Sequence, residues 1–495
     1  MEIINTKLQL FNVALLVIAT FVAAKLITKW AFKTPIKSSK HLPPPVVKGW
    51  LPLIGGLLRF VANPVKMLKE EYENLGSVFT LDVFNKNFTF LLEPDVSAHF
   101  FNASECEASQ REVYGYTVPI FGPGVMYDVD YPVRQEQFRF FEEAFRINKL
   151  KGLVDIMHHE VQDFFSKWGD TGEVDLAVEL GHLVILITSR CFLGSAVRDN
   201  LVDDIDTLLH DINSAWVPIT TMFPYLPIPT HRRRDKAREK LDDLLSNIIE
   251  SRKLSGNSVD DMLQSLIESK YKDGRAATVK EITGLLITML YGGQRTSLST
   301  SIRAGANLLL YNKKYWIAAL EEQRSLMKKH RNTINYDVLS EMQVLYSCIK
   351  ETLRLHPPIA LLLRQSHTEF EVITREGKKY GIPKGHILVT SAAITNRLPH
   401  IYKDPDNFDP ERFKLGRDED KLAGRLSFIS FGGGRHSCLG ETFAYLEMKT
   451  IWSYLLRNFD LELKSPFPET EYNDIIWGVK GKVMVRYNRQ NLVID

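Results

Sequence analysis

Apolar residues recur at helical spacing through most of the chain. Residues 135–168, 232–268, 278–327 and 341–355 carry apolar positions three and four apart, or nearly continuous apolar runs, and predict amphipathic or buried helices. Runs at 77–92, 385–390 and 480–487 have the composition of short strands. Thr278-Val-Lys-Glu281 ahead of the largely apolar Ile282–Leu290 is a capping box, and Ser340-Glu-Met-Gln343 predicts a second. The helix it opens must stop before Pro357-Pro358, because a residue preceding proline is pushed out of the helical region. From Leu57 onward there is no internal repeat, low-complexity run or second linker. The pattern predicts a mostly α fold with small β-sheets, one domain over residues 57–495.

The first residues follow a different pattern. Leu8–Ile27 is apolar except for Gln9, Asn12, Thr20 and Lys25. A helix of that length spans about 30 Å, one bilayer crossing. Lys25, Lys29, Lys33, Lys37 and Lys40 follow with no acid among them, which keeps that side in the cytosol. The residues before the apolar run hold only Glu2 and Lys7, a poor n-region for a cleaved signal. Residues 1–30 are therefore read as a retained transmembrane signal-anchor. Residues 31–56, basic and then proline-rich through His41-Leu-Pro-Pro-Pro-Val-Val, form a stiff hinge. Trp216–Pro229, aromatic and followed by Arg232-Arg233-Arg234, suits an interfacial patch, and equally a proline-rich connection between helices.

Charge narrows the class further. Lysine and arginine number 62 against 60 acids, so no basic excess marks a nucleic-acid binder. The four cysteines, Cys106, Cys191, Cys348 and Cys438, are far apart and contain no CxxC pair, which argues against zinc sites and disulfide scaffolds. Cys106, Cys191 and Cys348 read as small buried apolar residues.

Cys438 stands in different surroundings, Phe431-Gly432-Gly-Gly-Arg435-His436-Ser-Cys438-Leu-Gly440, with a helix predicted from Glu441. Four glycines in ten residues let backbone approach a flat ligand. N–H groups at the loop and helix start can stabilise a thiolate, and a thiolate on haem iron favours O–O cleavage. His436 and Arg435 can meet haem propionates. A phosphate loop is the alternative, but the Lys-Ser/Thr of that motif is missing. Glu351-Thr-Leu-Arg354 pairs across one helical turn, and Arg412 in Asp409-Pro-Glu-Arg-Phe413 offers a third charge that would lock the cysteine loop to that helix. Gly292-Gly293 in the middle of a predicted helix costs stability and invites a kink, setting the Thr296 and Ser297 hydroxyls beside a widened groove.

Taken in order, the glycine-broken helix, Glu-x-x-Arg, Pro-Glu-Arg-Phe and Phe-x-x-Gly-x-His-x-Cys-x-Gly resemble the cytochrome P-450 superfamily of haem-thiolate monooxygenases over residues 40–490. The anchor and hinge are similar to those of its microsomal members. Tyr114–Asp128, Arg134–Phe141, Pro227–Asp235 and Leu363–His367 resemble plant sterol 14α-demethylases. The resemblance implies a P-450 fold, haem b with Cys438 as the iron ligand, and propionate contacts from Tyr114, Arg364 and His436. It implies Thr296 at the oxygen-activating position. It also implies electrons from an NADPH-cytochrome P-450 reductase, and an endoplasmic-reticulum membrane protein, single-pass, whose catalytic domain faces the cytosol. Tyr116, Ile120, Phe121, Gly292, Arg295, Ile359, Ala360, Leu361, Leu362 and Ile476 are expected to wall a large apolar pocket.

The pocket departs from the family pattern. Arg295 stands where the family has histidine, Tyr116 where plants have phenylalanine, Ile120 where they have threonine, and Ala392–Asn396 differs from Pro-Ser-Phe-Ala-Asn. Arginine stays charged and cannot deliver a proton at neutral pH. On these departures the expected substrate is a triterpenoid such as β-amyrin, hydroxylated or epoxidised. Sterol (obtusifoliol) 14α-demethylation is the alternative, and a non-catalytic haem- or sterol-binding protein is the alternative of another class.

Overall fold

The helical stretches resolve into more, shorter helices than the periodicity predicts. The computed structural model describes residues 42–493 except 49–54, 84–85, 217–219, 222, 257–260, 311, 473–474 and 491. The predicted anchor lies outside the described residues, as does most of the predicted hinge. The main helices are α1 (Tyr131–Ala144), α2 (Ile147–Ser166), α3 (Leu176–Leu193), α4 (Ser195–Asn213), α5 (Pro229–Ser255), α6 (Val279–Leu310), α7 (Asn312–His330), α8 (Gln343–Leu355) and α9 (Glu441–Asn458). The predicted helix 135–168 is two, because Arg146 is extended (φ −60°, ψ 144°) between α1 and α2. The predicted 278–327 is covered by α6 and α7, described on either side of position 311, and 232–268 divides into α5 and a short helix Met262–Glu268. No proline or glycine marks the break between α1 and α2.

The Thr278 box forms as predicted. The N–H and hydroxyl of Thr278 donate to the Glu281 carboxylate at 2.8 and 2.9 Å, and the Glu281 N–H donates back to the Thr278 hydroxyl at 3.2 Å. Arg275 and Tyr271 add donors to the same carboxylate, which sits at about 2, below the ordinary value. Burial pushes it up, but the hydrogen bonds from Arg275 and Thr278 outweigh that. The Ser340 box does not form. Ser340 donates to the Tyr336 carbonyl within a separate short helix, and α8 begins at Gln343, where Glu322 of α7 accepts the N–H groups of Val344 and Leu345. A tertiary carboxylate has taken over the capping role. The helix ends at Leu355, ahead of the prolines.

Strands β1 (Val78–Val83), β2 (Lys86–Leu91), β3 (Ala108–Ser109), β5 (Leu361–Ser366) and β8 (Ile387–Ser391) make a five-stranded sheet ordered β1-β2-β8-β5-β3, with β2 and β8 parallel. Strands β4 (Thr171–Asp175), β9 (Phe459–Leu463) and β12 (Met484–Arg489) form a second sheet. The pairs β6–β7 (Phe370–Ile373, Lys379–Ile382) and β10–β11 (Glu469–Glu471, Gly478–Lys480) are hairpins. Where the predicted hinge is described, Val47 donates to the Thr80 carbonyl and Thr80 to that of Pro45, which pins residues 45–47 to β1.

Residues Pro44–Asp495 pack as one compact unit around α6. Its 32 residues span about 48 Å and are buried along most of their length. Two glycines set its neighbours. At Gly305 a Cβ would lie 2.0 Å from the Trp452 ring, so α9 crosses there at close range. At Gly284 it would lie 2.6 Å from the Phe121 carbonyl, so the loop bearing Ile120 and Phe121 rests directly on α6. Among the described residues only α3 is long and apolar enough to cross a membrane, and it is a core helix packed on α6 with most of its residues buried. Cys191 and Cys348 are buried as read, whereas Cys106 is exposed, beside the Ser104 hydroxyl at 3.0 Å.

Candidate active site

The cysteine loop is fixed from below by a buried charge network. Arg354 donates from Nε and Nη2 to the two Glu351 oxygens at 2.7 and 2.8 Å, and Arg412 Nε donates to Glu351 Oε1 at 3.0 Å. All three side chains are buried. Arg412 also bridges to Glu419, a member that sequence reasoning missed, although Arg417-x-Glu419 beside it was a visible signal. Arg354 Nη1 reaches the Asn396 carbonyl at 2.8 Å. The Asn396 side chain accepts from the Ile429 N–H and donates to the Ser430 hydroxyl, which in turn donates to the Leu353 carbonyl. The ion pairs thereby grip the residues leading into Phe431.

Beyond Phe431 the loop folds back, and the Cys438 N–H donates to the Phe431 carbonyl at 2.8 Å. Gly432 and Gly434 have φ of +74° and +60°. At Gly434 a Cβ would meet the Phe101 carbonyl oxygen at 2.3 Å, and at Gly433 it would press on Leu426 and Phe101. Gly434→Ala combines a left-handed backbone, about 1–2 kcal/mol, with that clash. Its expected result is a lower melting temperature and a reduced haem-to-protein ratio, both read on the purified protein.

Cys438 is exposed on the open face of the loop, yet the protein packed behind it desolvates the thiol and pushes its pKa up, while the N–H groups of Gly440 and Glu441 pull it back. A bound cation settles the balance toward thiolate. Tyr114 and His436 both lie within the electrostatic reach of Arg364. The Tyr114 hydroxyl accepts from the Leu363 N–H at 3.1 Å, which leaves its own hydrogen to give. Arg364 is buried, bonded to the Ala103 carbonyl at 3.3 Å, and pushed down to about 10 by burial, so it stays a cation at neutral pH. His436 falls to about 4 through burial and the neighbouring Arg364, so it is a neutral donor and not the charged partner an ion pair would need. Arg435 is exposed and turns to the Asn102 carbonyl at 3.2 Å, leaving it the weakest of the expected contacts. Phe431 packs on Tyr445 at 5.5 Å.

Arg134 of α1 escaped the list of candidate residues. It is fully buried, paired with Glu105, and faces the rings of Tyr127 and Tyr131, yet its Nε and Nη1 have no acceptor, nor has Glu105 Oε2 a donor. His436 Nε2 lies 3.9 Å from that oxygen. In the sequence it stood at the head of Arg134–Phe141, a stretch that carried the family resemblance without marking a site residue.

The glycine pair in α6 serves two purposes. Gly293 packs against Phe192 and Thr188 of α3, whereas nothing stands over Gly292, which is exposed. The helix runs through without a break, and Thr296 donates to the Gly292 carbonyl at 2.7 Å, a back-bond that occupies its hydroxyl. Ser297 is buried and Arg295 half-buried.

The expected pocket wall is only partly assembled on one side. Tyr116, Ile120, Phe121 and Ile476 are buried in the main core cluster, with Ile359 packed against it. Tyr116 stands edge-on to Trp216 at 5.4 Å, Phe121 likewise to Tyr291 at 5.9 Å, and Arg238 of α5 holds the carbonyls of Ile120 and Phe121. Ala360 packs with Ala393 and Trp477. Leu361 and Leu362 diverge because strand side chains alternate. Leu361 joins the cluster beneath β1 and β2, and Leu362 the cluster of Phe100, Phe101 and Ile429.

The family model described as cytochrome P-450 matches residues 43–482. The chain is 59% identical to a sterol 14-demethylase of Arabidopsis thaliana over 489 residues, 99% of each protein. It belongs to the sterol 14-demethylase family of cytochromes P-450. It is also 57% identical to the obtusifoliol 14-alpha demethylase of Triticum aestivum, over 92% of this chain and 100% of that one. To the lanosterol 14-alpha demethylase of Homo sapiens it is 34% identical, over 90% and 87%. The solved structure of a retinoic acid bound cyanobacterial P-450 covers 91% of this chain and is itself covered fully, with a TM-score of 0.78 at 23% identity, a likeness of fold. This P-450 is thus a haem-thiolate monooxygenase with the expected mostly helical fold. The expected triterpenoid substrate is not what these relatives' names carry; they carry the sterol alternative.

The residues present fit a haem. The glycine cradle has no room for a Cβ at Gly434, a thiol stands at the start of α9 with two N–H groups on it, and buried Arg134 offers unpaired donors beside Arg364 and Tyr114. Among the described residues no three His, Cys, Asp or Glu side chains converge to hold a bare metal ion.

Proposed function

We propose that this P-450 removes the 14α-methyl group of an obtusifoliol-like sterol, taking electrons from an NADPH-cytochrome P-450 reductase. The observation that carries the reading is 59% identity along the whole chain to a plant sterol 14-demethylase. Cys438 would hold the haem iron through its thiolate, and a haem so held would supply the electron push that favours O–O cleavage. Tyr114, Arg364, His436 and Arg134 meet the propionates, with Arg435 at the rim. Phe431 and Gly432 bed the macrocycle. Thr296 and Ser297 hold protons on the oxygen side of α6. Tyr116, Ile120, Phe121, Gly292, Arg295, Ile359, Ala360, Leu361 and Ile476 bound the sterol, and Leu362 supports them from the far face of β5.

Residues 1–30 anchor the protein in the endoplasmic-reticulum membrane by one span, residues 31–56 are the hinge, and residues 57–495 are the catalytic domain on the cytosolic side. Phe223 and Tyr225, both exposed, support membrane contact from the catalytic domain as well.

A second reading, oxidation of a pentacyclic triterpenoid, is favoured by the phenol of Tyr116 and the charge of Arg295 in the expected wall. Spectral titration separates the two. Obtusifoliol is expected to shift the haem absorption at micromolar concentration with β-amyrin silent; the reverse order overturns the proposal.

A further inference from the structure

Arg303 is buried in α6, and among the described residues no carboxylate pairs with it. Its Nε has no acceptor. Burial lowers its pKa only to about 10, so it stays a cation at neutral pH. His356, within its electrostatic reach, is held neutral by its own burial and by that arginine. A buried cation without a counter-ion is costly, and an apolar side chain of similar volume would avoid the cost. A residue that gives up stability in this way marks a functional position.

Its hydrogen bonds show what it holds. Every acceptor it reaches outside α6 belongs to the β10–β11 hairpin. Nη2 donates to the Gly478 carbonyl of β11 at 2.5 Å and to the Thr470 hydroxyl of β10 at 3.4 Å, so one guanidinium spans both strands. Nη1 donates to the Ser299 hydroxyl one turn earlier on α6. Ser299, also buried, donates in turn to the Trp477 carbonyl at 2.8 Å.

The contact continues beyond the hairpin. The Trp477 N–H donates to the Pro358 carbonyl at 2.8 Å, and its ring packs with Ala360 and Ala393. A run of hydrogen bonds thus leads from α6 through the end of the hairpin to the segment ahead of β5. Ile476 precedes Trp477, and Ile359-Ala360 follows Pro358, so two separate stretches of the expected pocket wall are joined through it. A two-stranded hairpin is marginally stable by itself. Among the described residues this one pairs with no third strand, so its position depends on what grips it.

We propose that Arg303, acting with Ser299, is a positioning residue that sets substrate specificity: it fixes the β10–β11 hairpin to α6 so that Ile476 and Ile359-Ala360 form one wall against the bound skeleton. The inference rests on the proposal that those residues bound the substrate.

The test uses haem-loaded full-length protein with its reductase, comparing wild type, Arg303→Met, Arg303→Lys and Ser299→Ala. Arg303→Met removes the donors and fills much of the same space. It is expected to keep the haem content and the red-shifted carbon monoxide band, because none of the Arg303 hydrogen bonds reaches the Cys438 loop. Its KM for obtusifoliol rises roughly tenfold, within the ~100-fold that a misplacement of about 1 Å can cost, while kcat changes less than about twofold. The preference for obtusifoliol over β-amyrin, read as the ratio of spectral dissociation constants, shrinks by a similar factor. Arg303→Lys still reaches one acceptor but cannot span both strands, and recovers part of the loss. Ser299→Ala keeps the arginine and removes only the donor to Trp477. Its KM rises by a smaller factor, which tests the inference even where the Met variant folds poorly.

Hydrogen exchange on ligand-free protein reads the grip without turnover. In Arg303→Met, residues 476–480 exchange faster and residues 431–440 do not. Wild-type KM and preference in Arg303→Met and Ser299→Ala overturn the inference. A loss of haem that tracks the loss of affinity in all three variants also overturns it, because the arginine then only supports the fold. If the wild type binds β-amyrin and not obtusifoliol, the substrate proposal fails. This inference is then read on β-amyrin, where the same rise in KM supports it and an unchanged KM overturns it.

Discussion

Glu351→Ala is expected to yield almost no haem-loaded protein. The substitution removes the carboxylate shared by Arg354 and Arg412 and leaves two guanidinium groups buried without it. Breaking a buried pair by deleting one partner costs about 3–5 kcal/mol, against a total domain stability of about 5–15 kcal/mol. The loss also travels. With Arg354 released, the Asn396 carbonyl loses its donor, and Asn396 is the residue whose side chain holds Ile429 and Ser430 at the entrance of the cysteine loop. Absorbance per mole of protein and a melting curve measure both effects. The control is Glu469→Ala. Its pair with Lys480 is exposed on both sides, and a pair of that kind contributes at most about 1 kcal/mol. Equal damage from the two substitutions would show that the network does not hold the loop.

Cys438→Ser is expected to keep some haem and lose all monooxygenase turnover. The glycine cradle, Tyr114, Arg364 and Arg134 are untouched by the change, so the site retains its shape and its donors. The thiolate goes, and with it the electron push that favours O–O cleavage. Reduced protein under carbon monoxide therefore loses the red-shifted band given by a thiolate ligand. A Ser variant that retains the band assigns the ligand to another residue.

The parts of the fold that were legible in the sequence are those settled by neighbours in the chain. Thr278 and Glu281 are three residues apart and make their box alone, and Pro357 stops α8 whatever packs on it. Ser340 and Gln343 have the same spacing, but Glu322 from α7 supplies the cap, and nothing local records that. The break between α1 and α2 falls at Phe145-Arg146, where tertiary packing overrides a propensity that would continue the helix.

The site divides in the same way. The Cys438 loop announced itself because close backbone approach needs glycine, and Gly434 meets the Phe101 carbonyl as that reading requires. Arg134 and Arg303 did not. Each sits on a helix where a charged residue reads as a solvated face, and only the packed structure shows both to be buried with unpaired atoms. Leu361 and Leu362 were read as one wall because the stretch was seen as a run of apolar residues and not as a strand with two faces.

The most direct test of the account is the fate of the 14α-methyl carbon. Full-length protein reconstituted with a plant reductase and NADPH is given obtusifoliol, and formic acid is quantified against the demethylated sterol. The account predicts one formate per sterol product, with none from Cys438→Ser. Turnover of β-amyrin to an oxygenated triterpenoid, with no formate from obtusifoliol, would contradict it.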